Sequence, residues 1–528
     1  MITCFLKKLK FAPFLALFCF STNNILAQTE KPNILIIMLD DAGIDMSAYG
    51  STFVKTPAFD FVAQNGILLK KAYTPNAKCA PSRAAMMTGR NSWQLEGAAN
   101  HWIFFPPHIK TCFETLRDNQ YNIGFTGKGY QPGKALDYEG KNRNLLGKEY
   151  SNLKLQTPTT DISKIDYAGN FDDFLNQNTQ KQWAFWVGIN EPHRPYQYHT
   201  GVDKAKKSVD MISKVPSFWP DCDSVRNDML DYALELEYAD AQVQKILNSL
   251  KEKNMLDNTL ILFTSDHGMP FPRMKGNQYE RSNHIPMAIM WNKGIATPNR
   301  KIDDYISFVD ITPTILAAAG IKENQTGMLP ITGKSLLPIL QSNKAGQIIK
   351  ERNFVMVGQE RHDIGRPNDV GYPIRGLHKN NMLYLKNYET NRWPACNPET
   401  GYLNCDGGAT KTYILNQRRN NVSKEFWQLC FGKRPSEELY DISKDPDCVK
   451  NLIQNKTYAA TLKAMQTEME TKLKTQGDYR MSGYGYLYEQ APLADERYKD
   501  FYKRYMGGEK IKAGWINETD YEKAPIND

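Results

Sequence analysis

The chain reads as an α/β protein with a large, mainly parallel sheet flanked by helices, and a smaller C-terminal α+β subdomain. Three observations predict this. Short apolar runs alternate with helical stretches through roughly residue 340. The clearest runs, Asn33 to Leu39, Asn122 to Thr126, Trp183 to Ile189 and Leu260 to Thr264, each stop at a polar cluster: Asp40-Asp41, Lys128, Glu191-Pro192-His193 and Asp266-His267-Gly268. Beyond about residue 345 the pattern changes to short strands and turns. Open α/β sheets hold ligands beyond the carboxyl ends of their strands, so the four clusters are expected to converge on one pocket.

Along the chain, Lys7, Lys8 and Lys10 precede an apolar run from Phe11 to Phe20, and Ile25-Leu26-Ala27 offers a cleavage site before Gln28. This predicts a secretory signal peptide over residues 1–27 and a secreted or periplasmic protein. Phe18 occupies the position where a lipidated Cys19 needs a small residue, and no later apolar stretch approaches ~20 residues, so no transmembrane anchor is expected. A catalytic domain is expected over 28–345. Within it Leu236, Ala239, Val243, Ile246 and Leu250 recur at helical spacing as a core stripe, and Asp310 to Ala319 reads as a capped helix stopped by Gly320. The subdomain spans 346–480, with turns at Gly371-Tyr372-Pro373 and Trp393-Pro394 and a strand at Glu438 to Asp441. An extension over 481–528 shows no strong periodicity.

At 528 residues the chain has ample material for a deep pocket. The formal net charge is +8, but charged residues make up only 23% and no basic block gathers them. That distribution argues against a nucleic-acid partner and for mild attraction of an anionic substrate.

The chemistry concentrates around Cys79. Pro81 suits a first helical turn and Ala84 to Met87 continue it to Gly89, so Cys79 sits near a helix N-terminus that favours a thiolate or a bound oxyanion. Asp40-Asp41 and Asp266 bring three carboxylates near one point; such groups repel unless a cation gathers them, and oxygen donors suit Ca²⁺ or Mg²⁺ better than zinc.

Cys79-Ala80-Pro81-Ser82-Arg83 with Thr88-Gly89-Arg90 resembles the maturation signature of type I sulfatases, whose cysteine a sulfatase-maturating enzyme oxidises to formylglycine (3-oxoalanine). The resemblance runs from Pro32 to about Leu452 and implies an alkaline-phosphatase-like fold. It implies that Asp40, Asp41, Asp266, His267 and the modified Cys79 hold the ion, that Arg83 holds residue 79, that Lys128 and Lys275 neutralise sulfate, and that His193 serves the leaving group. The histidine of the usual Gly-Lys-x-His segment is replaced by Tyr130; Tyr130 itself, a water or another histidine such as His101 are the candidates for its role as proton acceptor. His267 stands where many relatives carry Asn.

Within the family, Glu191-Pro192-His193-Arg194, Gly371-Tyr372-Pro373-Ile374-Arg375 and the Trp393-Pro394 region are most similar to heparan N-sulfatases and bacterial polysaccharide sulfatases, for example ulvan-active ones. A sulfated carbohydrate is therefore the expected substrate, from an algal glycan or a glycosaminoglycan. Arg361, Arg366 and Arg375, with His362 and Arg392, are candidate readers of its anionic groups, and Tyr372 and Trp393 candidate stacking partners. Competing readings are a phosphodiesterase or phosphonate hydrolase of the same superfamily and an inactive glycan-binding protein. Of nine cysteines, six remain once Cys4 and Cys19 leave with the signal and Cys79 is set aside; Cys396 with Cys405, then Cys430 with Cys448, are the candidate disulfides, free buried cysteines are the alternative, and the sequence does not fix the connectivity.

Overall fold

β1 (Asn33–Leu39) shows how the large sheet is built. Its odd residues Leu35, Ile37 and Leu39 enter one apolar core and its even residues Ile34, Ile36 and Met38 enter another, so the strand is buried on both faces. The structure is a computed structural model describing residues 1, 31–177 and 181–526; the signal peptide expected over 1–27 lies, from residue 2 on, outside the described residues.

Seven further strands complete this sheet: β2 (Ile67–Tyr73), β3 (Asn122–Gly127), β4 (Lys148–Glu149), β5 (Trp183–Ile189), β6 (Thr259–Ser265), β7 (Met287–Met290) and β8 (Arg300–Ser307). Their order is β8-β2-β7-β6-β1-β5-β3-β4. Only β7 runs antiparallel to its neighbours. Helices cover both faces: α1 (Cys79–Thr88) contributes Ala80, Ala84 and Met87 to the core of Ile34, while α2 (Asp223–Glu252) contributes the Leu236 to Leu250 stripe to the core of Leu35. The helix expected after Asp310 spans Ile311–Ala318, with Gly320 left-handed behind it. Asp310 does not cap that helix with its side chain; its carboxylate accepts from the Ser307 amide and pairs with Arg352 at 2.8 Å.

A second, antiparallel sheet follows in the order β9 (Phe354–Gln359), β10 (Ile374–Lys379), β11 (Met382–Asn387), β12 (Glu437–Asp441). One face carries Met356, Leu377, Tyr384 and Leu439 against Met465, Met469 and Leu473 of α3 (Ala459–Thr475); the other carries Val357, Ile374, Leu383 and Tyr440 against Tyr279 of the large-sheet region. Both faces are thus occupied by other parts of the chain, and the described residues from Lys31 onward form one compact unit. No helix among them is long and apolar enough to cross a membrane.

The candidate disulfides do not form, and the alternative of free cysteines holds: all seven described cysteines are free. Cys396 and Cys405 sit in different apolar clusters, as do Cys430 and Cys448, each packed as a small hydrophobe.

Candidate active site

Parallel pairing of β1 with β6, in register to Leu39 opposite Ser265, delivers Asp40-Asp41 and Asp266-His267 side by side. The Asp41 amide donates to Asp266 Oδ1 at 3.1 Å. Asp41 takes a left-handed φ of 73°, a conformation that costs a non-glycine residue about 1 kcal/mol or more and is retained mostly at functional sites.

Opposite these carboxylates stands the N-terminus of α1, with Cys79 as its first residue and a left-handed Gly89 as its stop. The helix is tied to the strand ends by its own motif. Ser82 Oγ donates to the Asp266 carbonyl at 2.6 Å. Arg83, fully buried, donates to Asp266 Oδ2 (3.0 Å), to Asp40 Oδ1 (3.2 Å) and to the carbonyls of Lys128 and Gly129 (2.8 and 3.0 Å). Its hydrogen bonds therefore orient the carboxylates and the Lys128 loop, where the resemblance implied a hold on residue 79 itself.

Asp40, Cys79, Asp266 and His267 offer donor atoms within 4.8 Å of one another. His267 Nδ1 lies 3.0 Å from the Gly268 carbonyl, which can only accept, so Nδ1 carries a proton. Nε2 is then turned to Asp41 Oδ1 (3.2 Å), Cys79 Sγ (3.4 Å) and Asp266 Oδ1 (3.6 Å). Asp41 Oδ1 is buried without a hydrogen-bond partner. An orphaned carboxylate oxygen beside a backbone-oriented imidazole is a donor set that fits a divalent cation.

Charge divides unevenly between the two central carboxyls. Burial works to raise Asp40, but Lys128, His193 and Arg83 hold it well below the usual range. Asp266 is raised, by burial and by the charge of Asp40, although His267, Arg83 and Lys128 oppose this. Burial also pushes the Cys79 thiol up to about 12, so the helix N-terminus does not yield the thiolate that the sequence left open; the unmodified sulfur is a poor nucleophile at neutral pH.

Basic groups ring this floor. Two close backbone approaches place Lys128: a Cβ on Gly127 (φ 73°) would lie 2.1 Å from the Gly188 carbonyl, and one on Gly188 would lie 1.9 Å from the Lys128 carbonyl. Lys128 Nζ reaches Asp40 at 2.5 Å. Lys275 Nζ bridges Asp41 and Asp406 at 2.7 Å each, and these carboxylates hold it well above an ordinary lysine against the opposing effect of burial. Asp41, His193 and Asp406 form a second group of close donor atoms, but the Lys275 ammonium already compensates its carboxylates. His193 donates from Nδ1 to the Arg194 carbonyl at 2.6 Å, leaving Nε2 3.9 Å from Asp41 Oδ2 on a side chain 30% exposed.

Cys79, Lys128, His193 and Lys275 line one cavity of about 200 Å³. Tyr130 is not among the lining residues: its ring packs edge-on to Phe105 in the apolar core and its hydroxyl has no partner. His101 does line the cavity. Both its ring nitrogens are buried without hydrogen bonds, and burial together with nearby Lys78 keeps its pKa well below the ordinary histidine value.

Arg361, Arg366 and Arg375, the arginines expected as substrate readers, are buried and are not among the residues lining the Cys79 cavity. Arg375 is wholly buried between Asp478 and Glu360, both at 2.7 Å. Arg366 donates to the Trp393 and Pro394 carbonyls, and Arg361 to the Ala491 carbonyl. His362 is buried against Asn76, and Arg392 pairs with Glu489. Tyr372 and Trp393 are buried as well. In their place the cavity wall holds Lys78, paired with Asp363 at 2.8 Å, and Trp102, Asp406 and Trp515. Lys78 has a local signal in preceding Cys79, and a buried Lys275 implies a carboxylate partner; nothing local marks Trp515.

Comparison with known proteins gives these observations a family. The sulfatase family model matches residues 32–321. An ulvan-active sulfatase of Formosa agariphila is 26% identical over 486 residues, covering 85% of this chain and 76% of its own. Human N-sulphoglucosamine sulphohydrolase is 23% identical, with 84% and 90% covered. A protein solved in complex with D-glucosamine-2-N,6-O-disulfate shares the fold at TM-score 0.58 and 18% identity, over 85% of this chain and 99% of the other. With the family model spanning more than half of its length, and the mainly parallel sheet and its strand-end site in the arrangement described, this chain belongs to the sulfatase family and is a sulfuric ester hydrolase.

Proposed function

We propose that the protein removes sulfate from a sulfated polysaccharide or its oligosaccharides, using Cys79 matured to formylglycine beside a Ca²⁺ or Mg²⁺ ion held by Asp40, Asp41, Asp266, His267 and residue 79. One observation carries this reading: Cys79, Lys128 and Lys275 line a single cavity, and Asp40, Asp41, Asp266 and His267 lie in contact behind them. The relatives support the substrate class, since one is named as ulvan-active and another as acting on N-sulphoglucosamine.

The matured residue supplies an aldehyde-hydrate hydroxyl as nucleophile, and the cation supplies positive charge beside it. The chain's own residues do the remainder. Lys128 and Lys275 neutralise the sulfate oxygens, acting in a water-poor site where such charges count for more. Arg83 fixes Asp40, Asp266 and the Lys128 loop relative to residue 79. His193, whose Nδ1 is fixed by the Arg194 carbonyl and whose partly exposed side chain lines the cavity, protonates the departing oxygen or nitrogen. For the proton that the missing histidine would accept, Tyr130, a water and His101 are the candidates; His101 alone of the two side chains lines the cavity, with its pKa held well below the ordinary histidine value by burial and Lys78. Secretion through residues 1–27 would bring the enzyme to polymeric substrate, the α/β region 28–345 would carry the chemistry, and 346–480 and 481–528 would shape access to it.

The test has two parts. Protein produced beside a sulfatase-maturating enzyme is digested, and the peptide bearing Cys79 is weighed for a loss of about 18 Da. Sulfate release is then measured on ulvan-type and glycosaminoglycan oligosaccharides. An unmodified thiol in the presence of a competent maturase overturns the nucleophile assignment.

A further inference from the structure

We propose that Trp102 and Trp515 form the subsite for the sugar ring that bears the sulfate, so that the C-terminal extension is part of the substrate pocket. The inference rests on the saccharide reading above and goes beyond it by naming the wall that tells a sugar sulfate from free sulfate.

Both indoles line the cavity that holds Cys79. Their rings stack at 5.3 Å and 28°, and Tyr498 packs edge-on against each. Neither is fully buried. Each indole N–H is already used, Trp102 Nε1 donating to Asp363 at 2.8 Å and Trp515 Nε1 to the Leu403 carbonyl at 2.8 Å. What remains for a ligand is apolar ring surface, which suits the C–H face of a pyranose. A cavity of about 200 Å³ is smaller than a drug-sized site and has room for one ring above the sulfate.

The wall is anchored to the reaction centre. Asp363, which holds Trp102, also holds Lys78 next to Cys79. The Trp515 carbonyl accepts from the Gly407 amide at 2.8 Å, directly after Asp406, the partner of Lys275. Trp102 is kept at a left-handed φ of 55°, a strained state for a bulky residue, with its carbonyl accepting from Ala494 at 2.7 Å. The segment carrying Trp515 is pinned by a fully buried Lys411–Asp520 pair at 3.1 Å. An incidental tail would not need a buried ion pair to set one tryptophan beside two charged pairs of the pocket.

The experiment uses matured full-length enzyme and a sulfated oligosaccharide that it desulfates. Trp515→Ala and Trp102→Ala are expected to raise KM at least tenfold with kcat changed less than threefold, and Trp515→Phe to recover part of the loss. Inhibition by inorganic sulfate, which occupies only the cationic floor, should keep its Ki. Tyr505→Ala serves as control, since Tyr505 stacks on Tyr521 within the same extension and is not among the cavity-lining residues; its KM should match wild type. Unchanged KM in Trp515→Ala, or an equal rise in Tyr505→Ala, overturns the subsite while the saccharide reading stands. A wild-type enzyme that hydrolyses an aryl sulfate but no sulfated saccharide overturns both.

Discussion

Two buried clusters of opposite charge, one at the carboxyl ends of β1 and β6 and one behind β10, are alike in composition and opposite in use. In the second, Arg375 gives every donor away: to both oxygens of Asp478, to Glu360 and to the carbonyls of Gln359 and Ile374, with Arg480 closing the other side of Glu360. In the first, Asp41 Oδ1 and both nitrogens of His101 have no hydrogen-bond partner, and the lysines face a cavity. A saturated cluster holds the fold together; one with unused donors and acceptors is built for something that arrives later.

The comparison can be broken most sharply at the two centres. Cys79→Ala should abolish sulfate release, by about 10⁴-fold or more, while the thermal midpoint measured without divalent ions stays near wild type, because the buried charge pairs around residue 79 are left intact. Arg375→Met should do the reverse: it strands Asp478 and Glu360 without their cation and should cost about 3–5 kcal/mol in denaturant unfolding, with kcat/KM of the folded fraction unchanged. Loss of activity without loss of stability in Arg375→Met would place Arg375 in the chemistry.

His193→Ala should lower kcat by roughly 10²–10⁴-fold on a sugar sulfate and much less on an aryl sulfate whose leaving group needs no proton, measured in parallel assays. Removal of divalent ions by a chelator should inactivate the enzyme, and restoring Ca²⁺ or Mg²⁺ to about 100 times its Kd should add about 2.7 kcal/mol of stability. Asp41→Asn should blunt that gain, whereas Asp478→Asn should leave it intact.

The smallest effect concerns pH. Burial raises the Asp478 carboxyl, but Arg375 outweighs it and holds the group below its usual value. Since the folded value lies below the unfolded one, the stabilisation is complete above about pH 4 and is lost as pH falls through the depressed value. Asp478→Asn should therefore be less stable than wild type at pH 7, with the gap in denaturant midpoint narrowing below about pH 4. A gap that stays constant with pH would mean that the charge of Asp478 contributes nothing.

Much of the site was legible in the chain because its signals are local. The apolar runs of β1, β3, β5 and β6 end where the strands end, to within a residue or two, and the polar residues that follow them meet as the topology of a mainly parallel sheet requires. Pro81, the alanines after it and Gly89 define α1. What stayed open has a common source. Arg361, Arg366 and Arg375 look like substrate readers as long as their partners are unknown, and Cys396 with Cys405 looks like a disulfide as long as their clusters are unknown.

By itself, then, the sequence determined the α/β architecture, the position of Cys79 at a helix start, and the acidic and basic groups that meet around it, because each follows from periodicity or from neighbours within a few residues. Tertiary structure alone decided which charges are spent and which remain available. Arg375 finds Asp478 across 103 positions, Lys275 finds Asp406 across 131, and the extension returns to set Trp515 in the wall of the cavity. Such pairings depend on how the chain closes its long loops and buries its surfaces, which no local pattern encodes.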